Sequence, residues 1–300
     1  MAAGPRFGEV ITAMVTPFEP DGGLDLKGAR SLAAHLVDHG SDGLVVCGTT
    51  GESPTLSPDE KLALFDNVVE EVGDRCTVIA GTGTYDTAES IALTREAAER
   101  GVDACLVVTP YYSKPPQAAL RAHFEAIADT ATVDLILYDI PGRTGRRIER
   151  PTVVELARHE RIVAVKDAVG DAGETAKLRS DLNRAGLADF DILSGDDPLL
   201  LPHLAAGATG IVSVCSHLVG ERMKEIFRLW PTAPGKARAV YLELLPLMEV
   251  IMGVTTSPIA IKAAVGMLGI EVGGLRLPLL PAGDEDSARI REAMEEIGLL

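Results

Sequence analysis

The chain has 300 residues, 46% of them hydrophobic, 24% charged and 4% aromatic, with a formal net charge of −16. That balance fits a globular protein and excludes a disordered one, and the negative excess, with no basic run interleaved with aromatics, opposes nucleic acid as a partner. No apolar run approaches the roughly 20 residues needed to cross a bilayer, and Met1–Val10 lacks the apolar stretch of a secretion signal, so a cytoplasmic protein with no membrane partner is expected.

Strand-like apolar runs occur at Val10–Pro17, Gly43–Gly48, Thr77–Gly81, Ala104–Thr109, Leu135–Ile140, Ile162–Lys166, Ile192–Gly195 and Gly210–Val214. Amphipathic stretches such as Leu26–Asp38, Asp59–Val72, Thr87–Arg100, Gln117–Asp129 and Thr152–Arg158 lie between them, which is the rhythm of parallel βαβ units. Eight such units with near-continuous apolar strands predict an α/β fold of the (β/α)8 TIM barrel type, with an open doubly wound sheet as the alternative. After about residue 225 the rhythm stops, and Lys236–Gly253, Ser257–Leu268 and Asp284–Ile297 read as helices. The expected organisation is therefore a catalytic barrel over 1–225 and a C-terminal helical extension over 226–300. The four cysteines, Cys47, Cys76, Cys105 and Cys215, are far apart beside apolar runs, and read as small reduced core residues rather than a metal or redox motif.

In such a barrel, catalytic groups come from the C-terminal ends of strands. Lys166 ends the sixth run, and strand alternation puts it on one face with Ala164 and Ile162. If that face points inward, the amine emerges over apolar neighbours that disfavour its charge and free it as a nucleophile; otherwise it is a strand-end lysine reaching water. The fifth run ends in YDIPGRTG, which hangs Tyr138 and, past a Pro141–Gly142 turn, Arg143 over the same end. A phenol can relay protons and a guanidinium can clamp a carboxylate, although a half-buried aromatic and a solvated loop arginine are plainer readings. The second run ends in CGTTGES, whose glycines leave the N–H groups and hydroxyls around Thr49 and Thr50 free for an anion, or close an ordinary turn.

Together, GTTGES (Gly48–Ser53), VTPYY (Val108–Tyr112), YDIPGRT (Tyr138–Thr144), VKDA (Val165–Ala168) and SGDD (Ser194–Asp197) resemble, in that order and over nearly the whole chain, the dihydrodipicolinate synthase family of the pyruvate-dependent, class I aldolase-like superfamily. The resemblance implies condensation of pyruvate with L-aspartate-4-semialdehyde to 4-hydroxy-tetrahydrodipicolinate, on the route to diaminopimelate and lysine. It implies no metal and no organic cofactor, only a covalent pyruvate imine. Lys166 then matches the Schiff-base lysine, Tyr138 the proton-shuttling tyrosine, and Thr49 and Tyr112 its relay partners. Thr50, with Thr49, matches the pair that holds the pyruvate carboxylate. Arg143 matches the arginine that receives the semialdehyde carboxylate, and Gly195 and Ile211 match positions whose backbone carbonyls border the site. In that family the tyrosine matching Tyr112 reaches a neighbouring subunit's site, which implies a homotetramer built as a dimer of dimers.

Asp139 and Asp167 adjoin catalytic positions along their strands and so point away from the site. Lys114, in a proline-bounded loop, and Lys262, in the helical extension, lack the apolar strand setting of Lys166. The rival within the same chemistry is another Schiff-base lyase or aldolase, acting on N-acetylneuraminate or a keto-deoxy sugar acid. Arg143 favours the synthase, because a polyol tail calls for neutral hydrogen-bonding groups. A non-catalytic keto-acid-binding barrel would be expected to lack the lysine or the tyrosine, and a phosphate-binding barrel would not carry the two carboxylates of SGDD. The resemblance also bears on feedback by lysine: the positions that line the inhibitory pocket in lysine-sensitive members are Pro58, Lys61 and Tyr85 here. With only Glu89 and Tyr111 retained, insensitivity to lysine is expected.

Overall fold

The structure, a computed structural model, describes residues 5–300, so the first part of the Met1–Val10 segment lies outside the described residues. The strands are β1 (Val10–Ala13), β2 (Gly43–Val46), β3 (Thr77–Gly81), β4 (Ala104–Val108), β5 (Asp134–Asp139), β6 (Ile162–Asp167), β7 (Asp191–Ser194) and β8 (Gly210–Ser213). Each pairs in parallel with the next, and β8 pairs with β1, so the sheet closes and an open doubly wound arrangement is excluded. Helices α1 (Leu26–Asp38), α2 (Pro58–Val72), α3 (Thr87–Glu99) and α4 (Gln117–Ala128) follow the first four strands. After β5 come α5 (Pro141–Thr144) and α6 (Arg150–Leu156), then α7 (Ala172–Arg184), α8 (Leu200–Ala205) and α9 (Ser216–Leu229) after β6, β7 and β8. The chain ends with α10 (Pro234–Gly253), α11 (Ile259–Met267) and α12 (Asp284–Glu296), and α9 runs across residue 225.

Alternation along the strands sorts the apolar residues into two layers. The barrel interior holds Ile11, Val45, Ile79, Leu106, Ile136, Tyr138, Ala164, Leu193 and Val212. The larger layer, between strands and helices, takes the intervening residues and continues into Tyr241, Leu244, Ile261 and Met294 of the C-terminal helices. Those helices therefore share the barrel's core rather than hanging from it.

Two local departures set the mouth of the barrel. A register shift between β5 and β6 pairs Leu135 with Ile162 but Ile136 with Ala164. The bulge breaks strict alternation, so Val163 and Ala164 both join the inner layer while Ile162 turns outward, contrary to the face expected for it. Lys166, two residues past Ala164, keeps the inward face. β2 stops at Val46 because Cys47 takes a φ of 56°, which turns the chain over the mouth and leaves Gly48 in a loop rather than at the strand end. Similarly, the Pro141–Gly142 turn is the start of the short helix α5, which Gly145 ends with a φ of 70°.

Asp139 and Asp167 point away from the interior, as expected. Asp167 accepts from the Val169 N–H at 3.1 Å and the Thr175 hydroxyl at 2.6 Å, and Asp139 accepts from the Ile148 N–H at 3.1 Å. Burial, reinforced by the nearby Asp167 charge, lifts the Asp139 carboxyl from 3.8 to about 7, with the Ile148 N–H opposing the shift. The folded chain thus binds more protons at this site than the unfolded chain between those two values. The stability contribution is complete below the lower value and is lost as pH rises through the higher one. Asp139→Asn keeps an oxygen for Ile148 but cannot ionise. Its melting temperature, measured against the parent by calorimetry across that pH range, should rise relative to the parent as pH increases; a pH-independent difference would refute the assignment.

Candidate active site

The mouth of the barrel holds a cleft of about 240 Å³ whose walls include Gly48, Thr49, Tyr111, Tyr138 and Arg143. β5 and β6 place the two central groups. Tyr138 and Lys166 are register partners on these neighbouring strands, both facing inward, and the Lys166 Nζ lies 4.2 Å from the centroid of the Tyr138 ring. Lys166 is 6% exposed, and no carboxylate of the described residues forms an ion pair with it. The negative face of the phenol ring is its nearest electrostatic partner. A lysine free of a counter-carboxylate and held against an aromatic ring that itself lines the cleft is placed to meet a carbonyl.

Gly195 supports that placement. A Cβ built there would come within 3.1 Å of both Cγ and Cε of Lys166 and 2.9 Å of the Ala168 Cβ. Only a glycine leaves the lysine stem room to lie where it does.

Arg143 stands on α5 at the cleft wall, exposed and without an ion pair among the described residues. The turn after β2 is built by hydrogen bonds from the Gly51 N–H to the Gly48 carbonyl (3.1 Å) and from the Glu52 N–H to the Thr49 carbonyl (3.1 Å). Neither Thr49 nor Thr50 donates its own N–H to an acceptor of the described residues, which leaves a pair of donors free in the turn. Thr49 lines the cleft, while Thr50 is buried just behind it.

Of the eight expected residues Thr49, Tyr138 and Arg143 line this cleft; Lys166 stands against the Tyr138 ring, Gly195 packs on the Lys166 stem, Thr50 is buried, and neither Tyr112 nor the Ile211 side chain is brought to it. Tyr112 is 93% exposed with a φ of 71°, and the cleft of its own chain is lined by Tyr111 instead. The Ile211 side chain belongs to the outer layer, because alternation on β8 turns Val212 inward, and its backbone pairs with Ser194 and Val10. Sequence reading also missed Gly81 and Gly83, both cleft-lining. A Cβ at either would meet the backbone of a neighbouring strand or its loop, and the GTG signal at the end of the third run was available to find them.

The remaining lysines divide clearly. Lys114 is exposed. Lys262 is buried, contrary to the setting expected for it, and burial lowers its pKa, but its Nζ is held by Glu52 at 2.7 Å and the Gly274 carbonyl at 2.6 Å. It is a tied cation rather than a free nucleophile. Asp197 of SGDD is fully turned into the fold, where it accepts from Ser213, the Val214 N–H (2.9 Å) and the Cys215 N–H (3.3 Å), and burial raises its carboxyl to about 6.

A model of the dihydrodipicolinate synthetase family matches residues 6–297. The 4-hydroxy-tetrahydrodipicolinate synthase of Moorella thermoacetica is 50% identical over 98% of this chain and 100% of its own. Among solved structures, the dihydrodipicolinate synthase of Cyanidioschyzon merolae with lysine bound is 43% identical, with a TM-score of 0.94 over 98% of this chain and 99% of that one. The chloride-inhibited enzyme of Acinetobacter baumannii complexed with pyruvate is 34% identical, with a TM-score of 0.93 over 98% and 99% of the two chains.

The Gly195 geometry generates a direct test. Gly195→Ala should slow the pyruvate-dependent inactivation by borohydride about tenfold or more, because the stem of Lys166 must shift. The melting temperature should fall modestly, since the position needs no left-handed backbone but the new Cβ crowds the Ala168 Cβ as well as the lysine stem. Unchanged trapping kinetics would show that the lysine does not depend on this packing.

Proposed function

We propose a function for this chain on the ground that it belongs to the dihydrodipicolinate synthetase family: it condenses pyruvate with L-aspartate-4-semialdehyde to 4-hydroxy-tetrahydrodipicolinate through a Schiff base on Lys166. The observation that carries the assignment of Lys166 is its placement, buried against the Tyr138 ring without a counter-carboxylate, beside a cleft that also presents Arg143 and Thr49.

Lys166 Nζ adds to the pyruvate ketone, and loss of water gives an iminium. Positive charge on nitrogen then draws electrons from the methyl carbon, which loses a proton and becomes an enamine nucleophile. Its carbon attacks the aldehyde of the second substrate, and the amino group of that substrate displaces Lys166 from the iminium carbon, which closes the ring and restores the free lysine. No metal or organic cofactor enters. Tyr138 moves the protons of imine formation, with the Thr49 hydroxyl and Tyr112 as relay partners, since a phenol exchanges protons efficiently only where a hydrogen-bonded chain passes them on. The free N–H groups of Thr49 and Thr50 hold the pyruvate carboxylate, Arg143 receives the carboxylate of the semialdehyde, and the Gly195 and Ile211 backbones border the site.

The exposure of Tyr112 supports its use by a neighbouring copy, in a homotetramer assembled as a dimer of dimers. No helix among the described residues is long and apolar enough to cross a membrane; a cytoplasmic location is part of the proposal. The chain organises as a catalytic barrel over 1–225 with a helical region over 226–300.

Borohydride reduction in the presence of pyruvate should leave one adduct, on Lys166, and Lys166→Ala should abolish it; an adduct on Lys114 or Lys262 would overturn the assignment. Arg143→Ala should raise the KM for the semialdehyde or lower its turnover roughly ten- to a hundredfold, the worth of one charge-assisted pair, and leave trapping by pyruvate intact. Cleavage of N-acetylneuraminate or a keto-deoxy sugar acid at a comparable rate would favour the aldolase reading instead.

Feedback by free lysine is expected to be absent. Pro58 occupies the first turn of α2 and offers no side-chain hydrogen bond, Lys61 is buried beside it as a like charge, and Tyr85, 60% exposed, stands edge-on to Tyr111 with ring centroids 5.1 Å apart. A lysine titration at limiting pyruvate should leave the rate unchanged at millimolar concentration, and clear inhibition below that would reverse this reading.

A further inference from the structure

The turn carrying Thr49 and Thr50 is bracketed by two left-handed residues that are not glycine, Cys47 (φ 56°) and Glu52 (φ 55°). Such backbone persists only where surrounding contacts over-determine it. Those contacts converge on Glu52, whose carboxylate is 1% exposed. Its Oε1 pairs with the Lys262 Nζ at 2.7 Å, and its Oε2 accepts from the Arg276 N–H at 3.0 Å. Lys262 sits on α11 with its Nζ 4.4 Å from the centroid of the Phe18 ring. The Arg276 guanidinium approaches the same ring at 4.5 Å, binds both Glu60 oxygens at 2.9 and 2.5 Å, and donates to the Thr55 carbonyl at 2.8 Å. From the barrel side, Thr16 donates its hydroxyl to the Gly51 carbonyl at 2.6 Å.

We propose that Glu52, Lys262 and Arg276 are positioning residues for pyruvate. The buried pair fixes the left-handed turn at Glu52, so that the N–H groups of Thr49 and Thr50 remain without internal acceptors and face the incoming carboxylate. The role rests on the carboxylate-holding assignment of those threonines made above. It gives the C-terminal helical region a part in substrate binding although none of its residues lines the cleft. Arg143, on α5, is served by a different set of contacts, so the two substrates should respond differently.

The test compares Glu52→Gln, Lys262→Met and the double variant by steady-state kinetics, melting temperature and borohydride trapping with pyruvate. Lys262→Met leaves the Glu52 charge buried without its paired ammonium and should lower stability most; removing both charges together should recover much of that loss. The pyruvate KM should rise roughly tenfold or more in all three, including the double variant, while the semialdehyde KM stays unmoved. A purely structural role predicts instead that the pyruvate KM recovers along with the melting temperature, and that outcome overturns the proposal. Should the buried variants not fold, Arg276→Gln, whose side chain is 18% exposed at the edge of the network, removes the guanidinium that anchors the Arg276 backbone N–H through Glu60 and the Thr55 carbonyl and should raise the pyruvate KM selectively; no selective rise there overturns the proposal equally. Normal pyruvate KM in folded variants that still trap pyruvate on Lys166 refutes the positioning role alone, whereas failure of the parent chain to form that adduct would overturn the proposed function with it.

Discussion

The register between β5 and β6 is the constraint on which the site depends. It sets Tyr138 beside Lys166 across one rung of the sheet, with both side chains directed into the barrel. A slip of one residue would turn one of them into the helix layer and separate amine from phenol, because neighbours along a strand face opposite sides. The bulge near Ile162 and Val163 selects this register. Closure of the sheet then leaves the rest of the interior filled by apolar and small side chains, so that the lysine stands against an aromatic ring and the Gly195 backbone.

Anionic substrates approaching a chain of net charge −16 need a local reversal of sign. In the proposed reading it comes without a basic patch, from Lys166 against the Tyr138 ring, Arg143 free of ion pairs at the cleft wall and the unpaired N–H groups of Thr49 and Thr50, while acidic neighbours are turned elsewhere. Asp139 and Asp167 face the helices, and Asp197 is spent on the N–H groups and hydroxyl at the end of β8. Carboxylates adjacent in sequence to the reacting groups thus serve the scaffold.

The C-terminal helices extend the same logic outward. They contribute to the core of the barrel through Tyr241, Leu244 and Ile261, and they send Lys262 and Arg276 to the loop after β2. A rigid barrel positions groups on strands well, but a turn containing left-handed residues needs external support. Here that support comes from the opposite end of the chain.

The sequence alone determined the eight strand–helix units, because an apolar run bounded by turn signals and followed by a 3.6-residue pattern is local information. For the same reason the strand ends bearing Lys166, Tyr138 and Thr49 were legible, and the five ordered motifs were enough to suggest the family. Strand ends were overestimated where a single φ decided the exit, as at Cys47. The outward turn of Ile162 and the inward turn of Val212 depended on a bulge and on barrel phase, which no single strand encodes. The exposure of Tyr112 depended on the path of its loop. Tertiary structure alone decided that Lys262 is buried and paired, and that Glu52 meets Arg276 across 224 residues of sequence. A charge far along the chain shows no periodicity with its partner, and only the closed barrel brings the two into one low-dielectric site.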